Sequence, residues 1–182
     1  MGEIKRIETK RLYLYPLEAE HIRMALDDYG GLCRRLRVEP GEKYGFFEWW
    51  RRRRVYAAKL ALIEQQPRSW LLSTTWFIVD GSTLEILGEA GFKGPPSLGV
   101  IEIGYGLKAG ARNRGYMSET VETLCRVAVA QTEYNVHTIL AKTLKDNTPS
   151  HRVLEKNGFV RNGMIGKHWR WLKDMEKNEV TA

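Results

Sequence analysis

Between residues 98 and 128 the apolar period of the chain changes from two to 3.6, across a loop that has no apolar period of its own. Leu98 to Leu107 alternates as a strand does. Lys108 to Gly115 is rich in glycine and arginine. From there Met117, Val121, Leu124, Cys125 and Ala128 fall on one face of an amphipathic helix. The first turn of a helix carries N–H groups without intrahelical acceptors, and the helix dipole adds partial positive charge there. A preceding loop whose N–H groups point inward then makes an anion site. Lys108, Arg112 and Arg114 add charge, and Gly115 allows close backbone approach. Taken alone, the same residues also describe a solvated basic turn ahead of a helix.

The rest of the chain reads as a mixed α and β fold. Thr9 to Leu17 is a strand stopped by Pro16, and Glu18 to Tyr29 a helix ending at Gly30-Gly31. Phe46 to Gln66 is a longer helix with Phe46, Phe47, Trp50, Ala57, Leu60 and Ala61 near one face. The run Arg51 to Arg54 crosses it and reads as a solvated face whose arginine stems cover apolar surface, rather than as a nucleic-acid site. Strands at Trp70–Val79, Leu84–Phe92 and Leu98–Leu107 are joined by Asp80-Gly81-Ser82 and Gly94-Pro95-Pro96-Ser97, short connections that imply antiparallel neighbours. His137 to Thr143 is a strand. Thr148 to Asn157 is a helix with Pro149 in its first turn and Gly158 after its end. A last β region runs from Phe159 to about Trp171, where Trp169 and Trp171 share one face for core or interface packing. A length of 182 residues with no repeat or linker fits one domain, 1–182.

Gly104-Tyr105-Gly106-Leu107-Lys108-Ala109 matches the dinucleotide fingerprint G-x-G-x-x-A, but both glycines sit within a strand and hairpins precede it, so the βαβ context is missing. The formal charge of +7 favours anionic partners, and nucleic acid, a membrane surface or a polyphosphate satisfy it equally. Two cysteines, Cys33 and Cys125, form neither a disulfide framework nor a metal-ligand spacing, which points to a reducing compartment and no metal. No targeting segment is visible, and the most apolar stretch is too short for a bilayer. A soluble cytoplasmic protein is expected.

Arg112-Asn113-Arg114-Gly115-Tyr116-Met117 resembles the coenzyme-binding motif of the GNAT superfamily of N-acetyltransferases, Q/R-x-x-G-x-G/A. Arg112 and Gly115 match it, and Met117 stands where glycine or alanine is usual. Thr9-Lys10-Arg11-Leu12 resembles the opening strand of the branch that includes ribosomal-protein N-terminal acetyltransferases, and Glu102-Ile103-Gly104-Tyr105 its fourth strand. Asn147-Thr148-Pro149-Ser150 followed by Leu154-Glu155-Lys156-Asn157-Gly158-Phe159 resembles its N-x-x-S…LEK-x-GF segment. Residues 31 to 68 match no such motif.

The resemblance implies an α/β (α+β) fold, a twisted, mixed, mostly antiparallel sheet flanked by helices. It implies acetyl-CoA as cosubstrate, lying between the strands Leu98–Leu107 and His137–Thr143. The acceptor would be a primary amine, a protein N-terminus or a small molecule, with neither nucleic acid nor membrane as partner. Lys108, Arg112, Asn113, Arg114, Gly115, Tyr116 and Met117 would hold the pyrophosphate, with the Met117 side chain turned to the core. Backbone groups of Gly106 and Leu107 and the carboxamide of Asn147 would hold the pantetheine arm. Asn147 is available if Thr148 caps the following helix; the alternative is that Asn147 caps it. Period two puts Glu102 on the face of Gly104 and Gly106, a carboxylate beside open space, and makes it the first candidate base. Glu89 is the second. The family's usual tyrosine acid is absent, since Leu154 occupies that region, and Ser150 is the better candidate by resemblance; the alternative is a helix-start hydroxyl bonded to the backbone. A non-catalytic acyl-CoA sensor of the same fold is the rival reading. The aromatic C-terminal region is compatible with a homodimer.

Overall fold

A computed structural model describes residues 5–42 and 45–175. It contains one eight-stranded sheet in the order β1-β2-β3-β4-β5-β6-β8-β7. The strands are β1 (Ile7–Glu8), β2 (Leu12–Pro16), β3 (Thr75–Asp80), β4 (Ile86–Phe92), β5 (Val100–Leu107), β6 (Thr138–Leu144), β7 (Val160–Ile165) and β8 (His168–Asp174). Only β5 and β6 pair in parallel; every other neighbouring pair is antiparallel. The helices are α1 (Ala19–Asp27), α2 (Tyr29–Leu36), α3 (Phe46–Gln65), α4 (Trp70–Ser73), α5 (Tyr116–Ala130) and α6 (Thr148–Lys156). The expected mixed, mostly antiparallel sheet flanked by helices is what forms.

Strand alternation divides the interior into two cores. Leu12, Leu14, Trp76, Ile78, Ile101 and Ile103 join Val121, Leu124 and Cys125 of α5 and Leu154 of α6 on one side. Tyr15, Phe77 and Val79 join Ile22 of α1, Leu32 of α2 and Tyr56 of α3 on the other. Trp171 is buried in the first core and donates its indole N–H to Thr143 Oγ1 at 2.9 Å, so it packs inside the domain.

Three expectations are corrected. Gly30-Gly31 does not end a helix; the break falls at Asp28, and both glycines lie within α2. The Asp28 carboxylate caps α2 by accepting from the Gly31 N–H at 2.8 Å. A Cβ at Gly31 would lie 2.1 Å from Asp28 Oδ2, so the cap itself requires glycine there. Trp70–Val79 is not one strand: a 3-10 turn at Pro67–Ser69 leads into α4, and the strand begins only at Thr75. A short apolar run is consistent with either state, and the preceding proline, fit for a first helical turn, tips it. The apolar face expected of α3 is also displaced. Trp50 is 56% exposed and Ala57 and Ala61 are exposed, while Tyr56 and Ile63 are buried. The side chains of Phe46 and Phe47 lie outside the described residues. The inward stripe of α3 is Arg52, Tyr56, Lys59 and Ile63, spaced as one helical face. Arg52 and Arg53 of the arginine run therefore point inward: Arg52 pairs with Glu89, and Arg53 donates to the Leu26 carbonyl oxygen.

The sheet opens at one place. β5 pairs with β6 only from Val100 and Thr138 to Ile103 and Ala141. Beyond that point β5 follows β4 as far as Leu107, and β6 follows β8 as far as Leu144. The two strands diverge, and the facing backbone edges of residues 104–107 and 142–144 stand outside the β5–β6 ladder.

Candidate active site

Both helices of the first core begin beside this opening. β5 runs through a 3-10 turn, Ala109–Ala111, and the loop 112–115 into α5. Asn113 (φ 61°) and Gly115 (φ 78°) are both left-handed, which turns the chain sharply into the helix. The first bond of α5 runs from the Glu119 N–H to the Gly115 carbonyl, 3.3 Å, so the N–H groups of Tyr116, Met117 and Ser118 have no intrahelical acceptor. Arg112 and Arg114 are exposed on the loop, and Arg112 Nε donates to the Leu107 carbonyl at 3.3 Å. Met117 is only 6% exposed and sits in the core with Val121, Leu124 and Cys125, so its bulk is directed away from the loop. The Lys108 side chain departs from expectation. It is buried on the α2 side of the sheet, where Nζ donates to the Pro40 carbonyl oxygen, and burial followed by the charge of Arg52 lowers its pKa.

The back of this loop is fastened to the start of β2. Glu119 accepts from Thr9 Oγ1 at 2.6 Å, from the Arg11 N–H at 2.8 Å and from Arg11 Nε at 2.9 Å. Burial would raise the Glu119 carboxyl, but these bonds outweigh it and hold the group below its usual range. Arg11 Nη1 donates to the Arg114 carbonyl oxygen at 2.8 Å, and the guanidinium lies 4.7 Å over the Tyr116 ring. Tyr116 in turn donates to Asp80 Oδ2 at 3.1 Å. Asp80, bonded first of all by the Ser82 hydroxyl, is held at about 2.

α6 starts at the end of β6. Asn147 is its cap, accepting from the Ser150 N–H at 3.3 Å, and Thr148 is the first helical residue. The arrangement with Thr148 as cap is therefore corrected: Asn147 Oδ1 is engaged, and only its amide N–H groups remain to reach a ligand. Ser150 is half-buried in the first turn. Its carbonyl accepts from the Tyr105 hydroxyl at 3.4 Å, across the opening from β5. Burial pushes Tyr105 up to about 12, so it stays a neutral donor.

Glu102, Gly104 and Gly106 share the opposite face of β5, as their spacing predicts, and a Cβ at Gly106 would meet nothing within 4 Å. Glu102 is ion-paired with Lys93 and, at 2.7 Å, with Lys142 of β6. Burial raises its carboxyl, but the two lysines together outweigh burial and the net shift is downward. Glu89 lies in register with Gly106. Its oxygens take the Tyr56 hydroxyl at 2.5 Å and Arg52 at 2.5 Å. Lys59 donates to the Phe92 carbonyl oxygen; burial first, then the charge of Lys93, pushes it down to about 8. Lys93 and Lys142 thus flank the Glu102 carboxylate at the mouth of the opening, with Lys59 held on the Phe92 carbonyl near Lys93.

The structure brings Glu102, Gly106, Leu107, the loop 112–117, Asn147 and Ser150 to the two sides of one opening. It takes the Lys108 ammonium elsewhere. Arg52, Tyr56, Lys59, Lys93 and Lys142 were missed in the sequence. The available signal was the i, i+4, i+7, i+11 spacing of 52, 56, 59 and 63, obscured because three of the four residues are polar or charged.

Comparison with known proteins agrees with this geometry. The Acetyltransferase (GNAT) domain family matches residues 11–160. The uncharacterized N-acetyltransferase YjdG of Bacillus subtilis is 34% identical over 99 residues, 54% of this chain and 58% of that protein. The chain thus matches just over half the length of this curated relative. Among solved structures, a ribosomal-protein-S5-alanine acetyltransferase from Vibrio fischeri has a TM-score of 0.64 at 18% identity, covering 94% of this chain and 97% of the other. A RimL ribosomal alpha-N-protein acetyltransferase in complex with coenzyme A has a TM-score of 0.66 at 15% identity, covering 96% and 100%. These likenesses are of fold. With most of its length matched by the family, and the opening, loop and helix start in place, the chain belongs to the GNAT acetyltransferase family.

Proposed function

We propose that this chain transfers an acetyl group from acetyl-CoA to a primary amine by direct attack. The observation that carries this reading is the divergence of β5 from β6 beside the start of α5, in a chain of this family. The pyrophosphate lies on the amide groups and arginines of the loop 112–117. The pantetheine arm enters beside Gly106 and Leu107, where β5 has left β6, with the Asn147 amide N–H donating from the other side. A structure of this fold in complex with coenzyme A supports acetyl-CoA as the cosubstrate.

The amine nitrogen attacks the thioester carbonyl; a C–N bond forms, the C–S bond breaks, and the sulfur leaves as thiolate. A thiolate of pKa about 8.5 needs little help to depart, and in this reading the Ser150 hydroxyl supplies it a proton. Glu102 accepts the amine proton through water. Its lysine partners keep it ionised but make it a weak base. A weak base suits an α-amino group, with a pKa of about 8, better than a lysine side chain at about 10.4. Lys93 and Lys142 beside Glu102 also disfavour a polycationic acceptor. Both points favour a protein N-terminus. The ribosomal-protein acetyltransferases among its structural neighbours point the same way. We place the activity in the cytoplasm, since both buried cysteines are free and no described helix is long and apolar enough to cross a membrane. The exposed edge strand β7, with Val160, Met164 and Ile165 at the surface, is where a homodimer would form.

The test is thiol release from acetyl-CoA over a panel of peptides with free N-termini and small amines. Release with N-terminal peptides, lowered and made less pH-dependent by Glu102→Gln, is the expected result. Coenzyme binding with no thiol release for any amine would instead establish the acyl-CoA sensor.

A further inference from the structure

We infer that Arg11 is a positioning residue for coenzyme binding: it sets the orientation of the peptide between Arg114 and Gly115, and so aims the Gly115 N–H into the anion site. The inference rests on the coenzyme site proposed above. Arg11 comes from the start of β2, a segment with no part in the loop itself, and it makes three separate attachments. Its Nε and main-chain N–H hold Glu119 in the first turn of α5 at 2.9 and 2.8 Å. Its Nη1 takes the Arg114 carbonyl at 2.8 Å. Its guanidinium covers the Tyr116 ring at 4.7 Å.

The carbonyl bond matters because the peptide is planar and trans. In a trans peptide the C=O and the following N–H point in opposite directions. Drawing the Arg114 oxygen toward Arg11 therefore turns the Gly115 N–H away from Arg11, to the loop's other side. Among the described residues no group accepts from the Gly115 N–H. Gly115 is the residue at which the peptide would otherwise rotate easily, since glycine tolerates many backbone states. Its φ of 78° suits few other residues, and a Cβ there would stand 3.4 Å from Arg11 Nη2. Arg11 thus supplies locally the restraint that Gly115 lacks. Thr9, through Glu119, fixes the helix start against which the loop is measured. This gives Thr9-Lys10-Arg11-Leu12 a role at the coenzyme site although it lies about a hundred residues away in the chain.

The experiment compares acetyl-CoA with S-acetylpantetheine, which lacks the pyrophosphate and nucleotide, as donors to one peptide acceptor. In Arg11→Met the KM for acetyl-CoA rises about tenfold, while kcat at saturation stays within about twofold. The kcat/KM for S-acetylpantetheine is unchanged. Arg11→Lys keeps the charge but loses the forked donors, and recovers only part of the affinity. It also carries the test should Arg11→Met fail to fold. Equal losses with both donors would mark Arg11 as merely structural and overturn the inference, as would an unchanged KM for acetyl-CoA. Wild-type protein that binds no CoA in calorimetry would remove the coenzyme site and this inference with it. CoA binding by the wild type that Arg11→Met matches would remove the inference alone.

Discussion

The two flanks of the β5–β6 opening hold their positive charge differently. On the α5 side Arg112 and Arg114 are exposed, and no carboxylate is paired with either among the described residues. On the α3 side Arg52 is largely buried against Glu89, and Lys93 and Lys142 are paired with Glu102. The first set can turn to a ligand at little structural cost. In the second, Arg52 is part of the packing between α3 and the sheet, and the charges of all three are already balanced in part. Substitutions on the α5 side should therefore show in coenzyme affinity, and those on the α3 side in stability and pH dependence.

The largest effect expected is from Glu89→Ala. With both partners about one-eighth exposed, it removes the carboxylate that meets the buried Arg52 charge and should cost about 3–5 kcal/mol in a denaturant melt at neutral pH. A loss well under this would mean that Arg52 reaches solvent and that the two flanks are less different than their geometry suggests. Next is the double change Arg112→Ala with Arg114→Ala. Stability should move by no more than about 0.5 kcal/mol, while CoA affinity measured by calorimetry falls about tenfold, with a weaker salt dependence than the wild type. A fall in melting temperature with no change in affinity would reverse the assignment of the two flanks.

The smallest effect is Lys93→Met with Lys142→Met. The folded-state pKa of Glu102 is depressed by these lysines. Its contribution to stability is therefore present above the unfolded carboxylate pKa and is lost as pH falls through the folded value. Removing the lysines leaves burial to raise that value, so the loss of stability that Glu102 contributes on acidification disappears, while the acid limb of the turnover profile moves to higher pH. The stability change at neutral pH should be under about 1 kcal/mol, because both lysines are partly exposed. An unmoved acid limb in the turnover profile would remove Glu102 as the base.

Legibility in the sequence followed the range of the interactions. The start of α5, the burial of Met117 and the shared face of Glu102, Gly104 and Gly106 follow from periods of 3.6 and two within single segments. Gly30-Gly31 misled because glycine ends helices so often; here it admits the Asp28 carboxylate to a cap. In α3 the buried stripe is Arg52, Tyr56 and Lys59 with Ile63, so the apolar residues of the segment mark the wrong face. Those polar groups are tolerable inside only because Glu89 and the Phe92 carbonyl meet them. Asn147 was an even choice between cap and free carboxamide, since both uses require the same residue in the same place.

By itself the sequence determined about where α5 and α6 begin, and that a basic, glycine-rich loop stands between β5 and α5. These are consequences of backbone periodicity and of unpaired amides at a helix start, which any folded context preserves. The tertiary structure alone decided which partners the charges take. Arg11 finds Glu119 and Arg114, Arg52 finds Glu89, Lys108 turns under Pro40, and β5 leaves β6 after Ile103. Each of these joins segments distant in the chain, and a charge shows no periodicity that names its partner.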